Sequence, residues 1–301
     1  MRITQNMVAT QVLGNINGSL GRLAKAQEQL ASTKRINRAS DDPLGSGLVM
    51  RFQATKEGLQ GFQRATDAAQ EALRSTATPL ERVTEILQQT REVAVRGSSD
   101  IMSGSRGPLA EEVNELLEEL LSQANSRFRD RYIFGGTQTG TAPYAATRDA
   151  TGRITAVTAN PVGINGLVSA EVASGFLVQT NLPGGQAFTS TVDLFATLAT
   201  LRDSLTADDT AGIAATMGTL SQGIDQVNTA SGVVGVAVQR LEAIRTRNQE
   251  DLTRVEALRS KVQDANITEV YVELQKLQNA FDASLAAGAK AMKASLVDYL
   301  R

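Results

Sequence analysis

Residues 32–43 carry the sequence STKRINRASDDP, a polar break between two long stretches of helical pattern. We expect Asp42 to be the N-cap of a second helix and Pro43 its first residue. An acidic side chain can accept hydrogen bonds from the free N–H groups of a helix start, and proline has no N–H to satisfy there. The break therefore predicts that a first helix ends and a second begins here.

The segment before the break predicts a helix over about residues 3–33. Its apolar residues recur at spacings close to those of a coiled-coil seam, and they are Leu13, Ile16, Leu20, Leu23 and Leu30. Gly14, Gly18 and Gly21 lie in the same stretch, and each costs about 1 kcal/mol relative to alanine inside a helix. We therefore expect this helix to need a partner.

The C-terminal segment carries a matching pattern. Asn266 and Glu269 are spaced as a helix cap, and the apolar residues that follow are Val270, Leu274, Leu277, Phe281, Leu285 and Leu296. We expect the two terminal helices to pair. A two-helix pair covers only part of such a row of apolar residues, which we call a stripe. We therefore also expect the stripe residues of both helices to contact neighbouring copies of the chain. These residues form a predicted assembly interface.

The middle of the chain differs from both ends. Helical pattern resumes after Pro43, with a kink or restart expected at Pro79, and continues in an amphipathic stretch whose acidic face runs from Glu111 to Glu119. Residues 135–191 hold nine glycines and only four charged residues, which is typical of a small β-domain. Helical pattern then returns, with expected interruptions at 231–232 and at Gly235. The sequence predicts a mainly α fold with a small β insert.

The composition excludes several classes of function. The chain has no Cys, His or Trp, which excludes disulfides, cysteine or histidine catalysis, and metal sites built from those residues. Aromatic residues make up 4% and the net charge is −2, so nucleic-acid binding is not expected. No apolar run is long enough to span a membrane. We expect no catalytic, cofactor or metal site, and not an enzyme.

Two charged groups at the break allow more than one interpretation. Asp41 and Asp42 could ligate a metal as paired oxygen donors, although the following proline favours an N-cap. The basic residues Lys34, Arg35 and Arg38 could bind phosphate, contact another subunit or remain solvated. The acidic face at 111–119 is expected to be solvated or to meet arginines of a neighbouring subunit.

Three stretches resemble the bacterial flagellin superfamily. They are the break at 32–43, with Ser-Thr where that family commonly has Ser-Gly, the helical run LQQTREVAV at 87–95, and the C-terminal run at 259–301. A fourth stretch, RYIFGGTQTGTAPY at 131–144, is similar to a segment of the hook-associated members of the superfamily.

The resemblance implies a rod-like molecule with an inner coiled-coil domain (1–42 with 265–301), a helical-bundle domain (43–134 with 192–264) and an outer β-rich domain (135–191). It implies a structural role at the hook–filament junction of the flagellum, in a ring of copies between junction protein 1 and flagellin. It also implies secretion without a cleaved signal peptide, through the flagellar type III export apparatus and with its chaperone.

Two other functions remain open. A filament-forming flagellin would share these motifs and would polymerise by itself. A soluble coiled-coil adaptor or signalling module would share the heptad-like helices, but it would not need a β insert.

Overall fold

The computed structural model describes residues 5–99 and 104–299, and the side chains of residues 5, 6, 8, 9 and 291–299 are outside that description. Most of the described chain is helical. The helices are α1 (Gln5–Ser32), α2 (Pro43–Gly97), α3 (Gly107–Ala124), α4 (Gly184–Phe188), α5 (Leu194–Thr206), α6 (Thr210–Gln263) and α7 (Ile267–Tyr299). None of the helices in the described part of the chain is both long and apolar enough to cross a bilayer.

The strands are short and pair only as antiparallel hairpins. They are β1 (Arg127–Phe128), β2 (Arg131–Tyr132), β3 (Tyr144–Arg148), β4 (Ile154–Ala159), β5 (Ser169–Ala173) and β6 (Phe176–Gln179). The pairs are β1–β2, β3–β4 and β5–β6, and each forms a separate two-stranded sheet. The predicted mainly α fold with a small β insert is confirmed.

The chain divides into two compact units. The first consists of residues 1–58 and 251–301, and the second of residues 59–250. Helices α2 and α6 each contribute residues to both units. The three-domain division drawn from the sequence stays a prediction.

Helix α2 begins where the sequence places it. The Asp42 carboxylate accepts a hydrogen bond from the backbone N–H of Gly45 at 2.9 Å, so Asp42 is the N-cap and Pro43 the first helical residue. Of the kink or restart expected at Pro79, the restart is wrong, because α2 continues through that proline to Gly97, and the kink stays a prediction. Leu73 and Leu80, before and after this point, are buried, and burying them favours one unbroken helix over the local preference of proline.

The second unit has one hydrophobic core. Leucine and valine side chains from α2, α3, α5 and α6 fill most of it, and four aromatic rings pack together within it, with the centroids of contacting rings 4.8 to 5.9 Å apart. The rings belong to Phe134, Tyr144, Phe188 and Phe195. The β insert therefore packs on the helices through this core.

Two buried polar side chains fix the hairpins to the helices. The Arg202 guanidinium on α5 donates to the carbonyl oxygen of Ile154 at 2.5 Å and to the side chain of Asn114 at 3.2 Å. The Asn248 side chain on α6 donates to the carbonyl oxygen of Val172 at 3.1 Å. Because a buried carbonyl without a partner is costly, these bonds favour one position for the β3–β4 hairpin and one for the β5–β6 hairpin.

Candidate assembly interface

The two terminal helices pack against each other in antiparallel order. At one end the backbones of Lys34 and Asp264 form an isolated antiparallel β-bridge, and the carbonyl oxygen of Thr33 accepts the N–H of Ala265 at 3.0 Å. Far along the helices, a Cβ placed on Gly288 would lie 2.9 Å from the Cγ1 atom of Val12. The absence of a side chain at Gly288 thus allows α1 and α7 to approach closely at this level.

The seam between the helices follows a heptad pattern on both. Its buried or half-buried residues are spaced alternately four and three apart, as in a coiled coil. On α1 they are Val12, Ile16, Ser19, Leu23, Ala26 and Leu30, and on α7 they are Val270, Leu274, Leu277, Phe281, Ser284 and Gly288. The seam contains small and polar residues as well as large apolar ones, so the pair buries only part of its apolar surface.

A second row of apolar residues lies beside this seam. Leu13 and Leu20 on α1, and Tyr271 and Leu285 on α7, are 55%, 49%, 54% and 44% exposed. Each directly follows a seam residue at the same heptad position. In an antiparallel pair the residues at this position of the two helices face the same side, so these four share one side of the pair. We call them the apolar flank.

The opposite side of the pair is polar or small. The residues that precede seam positions there include Asn15, Arg22, Glu273 and Ala280, all of them exposed. Four of the exposed large apolar residues of the pair therefore share one side, while Met7, Ile267 and Val272 are exposed at other heptad positions.

The structure divides the stripe residues predicted from the sequence between seam and flank. Those in the seam are Ile16, Leu23, Leu30, Val270, Leu274, Leu277 and Phe281, and those on the flank are Leu13, Leu20 and Leu285. The side chain of Leu296 lies outside the described residues. Tyr271 was missed, although it precedes Leu285 by two heptads, and this spacing could have identified it.

The carboxylate of Asp41 holds the break between α1 and α2 in one conformation. It accepts the backbone N–H groups of Asn37 and Arg38 at 3.1 and 2.9 Å and forms an ion pair with Lys25 at 2.9 Å. The Lys25 ammonium, followed by the two N–H groups, lowers the pKa of Asp41 from 3.8 to about 2. Asp41 is thus ionised at neutral pH, and its carboxylate is occupied by contacts within the chain.

Two arginines of the break are also bound within the chain. Arg35 donates to the Asp42 carboxylate at 3.2 Å and to the carbonyl oxygen of Val262 at 2.9 Å, while Arg38 pairs with Glu28 at 3.2 Å. The Gly45 N–H, and then Arg35, lower the pKa of Asp42. In the described ranges no group of three or more acidic side chains is placed to hold a metal ion. The break therefore joins the terminal pair to the start of α2.

Four of the five glutamates on the acidic face of α3 form ion pairs within the chain. Each of four glutamates faces an arginine from α2 or from the β3–β4 hairpin region, and the pairs are Glu111–Arg153, Glu112–Arg96, Glu118–Arg148 and Glu119–Arg82. The face is nevertheless solvent-exposed, as one alternative predicted, because Glu111, Glu112 and Glu115 are exposed and Glu118 and Glu119 half-buried. Contact with arginines of a neighbouring subunit stays a prediction. The spacing of the glutamates in the sequence cannot show which arginines the fold brings near them.

The N-terminal half of the chain is similar to bacterial flagellins. Residues 3–139 match the family described as the bacterial flagellin N-terminal helical region. The flagellin of Clostridium tyrobutyricum is 31% identical over 145 residues, which cover 46% of this chain and 38% of that protein. The resemblance to bacterial flagellins is therefore confirmed over residues 3–139, and the resemblance of the run at 259–301 stays a prediction.

The chain also resembles flagellar hook-associated protein 3. Flagellar hook-associated protein 3 of Salmonella typhimurium is 31% identical over 147 residues, covering 48% of this chain and 46% of that protein. The chain thus spans less than half the length of these curated relatives.

Solved structures show the same fold. Flagellar hook associated protein-3 of Legionella pneumophila aligns with a TM-score of 0.62 at 14% identity, covering 71% of this chain and 98% of that one. FlgL of Bacillus cereus aligns with a TM-score of 0.55 at 17% identity, covering 68% and 97%.

Proposed function

We propose that this protein is a structural, non-enzymatic component of the bacterial flagellum and serves at the hook–filament junction. Its partners would be other copies of itself in a ring, junction protein 1 on the hook side and flagellin on the filament side. The likeness to hook-associated protein 3 in sequence and fold supports this role.

The observation that carries the proposal is the apolar flank of the α1–α7 pair. Four large side chains on one side of the pair are each 44% exposed or more. Burying apolar surface contributes about 25 cal/mol per Å², so covering this row with a neighbouring subunit would favour assembly. The seam alone already holds the two helices together, which leaves the flank available for such a contact.

Export through the flagellar type III apparatus, with a chaperone and without a cleaved signal peptide, is part of the proposal. The protein would then act outside the cell. The absence of cysteine suits a chain that is threaded unfolded, because no cross-link can form before it folds.

A filament-forming flagellin is the second candidate. It is supported by the flagellin of Clostridium tyrobutyricum, which is as similar in sequence, at 31% identity, as the Salmonella hook-associated protein. The two roles predict different phenotypes for cells in which the gene is deleted.

Deleting the gene in its host tests both candidates. Electron microscopy of the cells and analysis of the medium should show bare hooks with flagellin monomers shed outside, because flagellin would have no junction on which to polymerise. Bare hooks with no flagellin left would instead identify the filament subunit. Intact, motile filaments would contradict both and favour a soluble coiled-coil adaptor.

A further inference from the structure

We infer that the helices α2 and α6 are built to bend at one level of the second unit. That level comprises residues 75–81 of α2 and residues 231–236 of α6, and we call it the hinge level. The inference concerns the free chain and does not depend on the proposed function. It would let the unit change its curvature without exchanging its core contacts.

Two side-chain contacts set the register of α2 against α6. Gln63 donates to the side chain of Gln249 at 3.1 Å, and Arg245 pairs with Asp67 at 3.1 Å. Four residues forward on α2 thus correspond to four residues back on α6. Continuing this antiparallel register places Pro79 level with the segment around Val233.

A groove between the two helices lies at the same level. Its volume is about 370 Å³, and its walls come from both helices. They include Ala77 and Leu80 on α2 and Ser231, Val234 and Gly235 on α6. Because space next to a helix lets its backbone shift without a clash, the groove gives both helices room to move.

Helix α2 is weakened on its side of the hinge level. Pro79 has no N–H, so the carbonyl oxygen of Ser75 lacks its usual helical donor. The hydroxyls of Ser75 and Thr76 donate back to the carbonyl oxygens of Ala72 and Leu73, at 2.7 and 2.5 Å. Such back-bonding competes with the helical bonds and bends helices.

Helix α6 is weakened at the opposite position. A Cβ placed on Gly232 or on Gly235 would have no heavy atom within 4 Å, so packing does not require glycine at either site. Val233 and Val236 beside them are 43% and 66% exposed, and β-branched residues are modest helix formers. The sequence thus lowers the helix stability of α6 at the one level where α2 carries its proline.

Buried residues hold α6 on both sides of this level. Val227 and Leu241 are fully buried, and Val234, between them, keeps 4% of its surface exposed. The core contacts on either side therefore persist when the backbone hydrogen bonds of the hinge level open. The expected motion is a local bend, not unfolding of the unit.

Hydrogen exchange of the full chain tests this inference. Amides of 232–239 should exchange at least about tenfold faster than those of 220–227 and 241–248, because local opening exposes them. The double substitution Gly232→Ala and Gly235→Ala should slow them by about 25-fold, or about fivefold for each glycine. Gly218→Ala is the matched control, since Gly218 also faces open space on α6 and should not slow these amides.

A distance measurement gives a second readout. The chain has no cysteine, so Gln222→Cys and Glu250→Cys allow two spin labels on exposed sites of α6, about 42 Å apart along a straight helix. The distance distribution should be broad with the native glycines and narrow in the double alanine variant. Uniform exchange along α6, or distributions of equal width, would overturn the inference.

Discussion

At the scale of single residues, Asp41 contributes to stability in a way that depends on pH. Its pKa is lowered from 3.8 to about 2 by Lys25 and by the N–H groups of Arg38 and Asn37. A lowered pKa in the folded state means that the stabilisation is complete above the unfolded value. The stabilisation decreases below the unfolded-state pKa and is lost as the pH falls through the folded-state pKa.

We therefore expect Asp41→Asn to lower the melting temperature at pH 7, because asparagine keeps the acceptor oxygen but loses the ion pair. The difference from the native chain should shrink below about pH 4 and vanish only below about pH 2. Asp282→Asn on the exposed face of α7 is the control and should leave the melting temperature unchanged. A difference that stays constant from pH 7 to pH 2 would contradict this role for Asp41.

At the scale of elements, the sequence predicted best what local chemistry decides. The cap at Asp42 and the start at Pro43 depend on neighbouring residues only, and both were predicted. The restart at Pro79 and the break at Gly235 were wrong, because α2 and α6 continue through them. Burial of leucines and valines along these helices outweighs local propensity, and a single sequence does not show that burial.

The same reasoning explains why the predicted interface combined two surfaces. Apolar spacing marks Leu13 and Ile16 equally, yet only Ile16 lies in the seam, because Ser19 and Ala26 occupy seam positions that the apolar pattern omits. The periodicity of apolar residues also could not predict which strands pair into hairpins. The three separate hairpins take their positions from distant contacts such as that of Arg202 with Ile154.

The apolar flank gives a prediction at this scale. Leu20 is half exposed, so Leu20→Glu should change the free energy of unfolding by no more than about 0.5 kcal/mol, yet it should abolish incorporation into the flagellum. A charge on the flank would have to be desolvated against the neighbouring subunit. Thermal unfolding of the purified chain and electron microscopy of complemented cells measure the two effects.

Ala280→Glu places the same charge on the opposite side of the helix pair and is the matched control. It should support filaments as the native protein does. If Leu20→Glu cells also grow normal filaments, the flank is not the assembly surface.

At the scale of the whole molecule, the division into two units predicts that assembly and folding can be separated. The second unit, residues 59–250, contains its own core and none of α7. Truncation after Asn266 removes α7, and it thereby removes one half of the seam and of the flank. The core amides of the second unit should keep their protection from hydrogen exchange, because none of their contacts is lost.

Cells that carry only the truncated chain should show hooks without filaments, since the remaining α1 has neither its partner nor a complete flank to offer a neighbour. Leu20→Glu complements this test, because it alters the flank while the α1–α7 seam stays intact. Loss of filaments in both variants, with the second unit still folded, requires that the terminal pair acts in assembly. Filament growth with the truncated chain would instead place the assembly surface within residues 1–266.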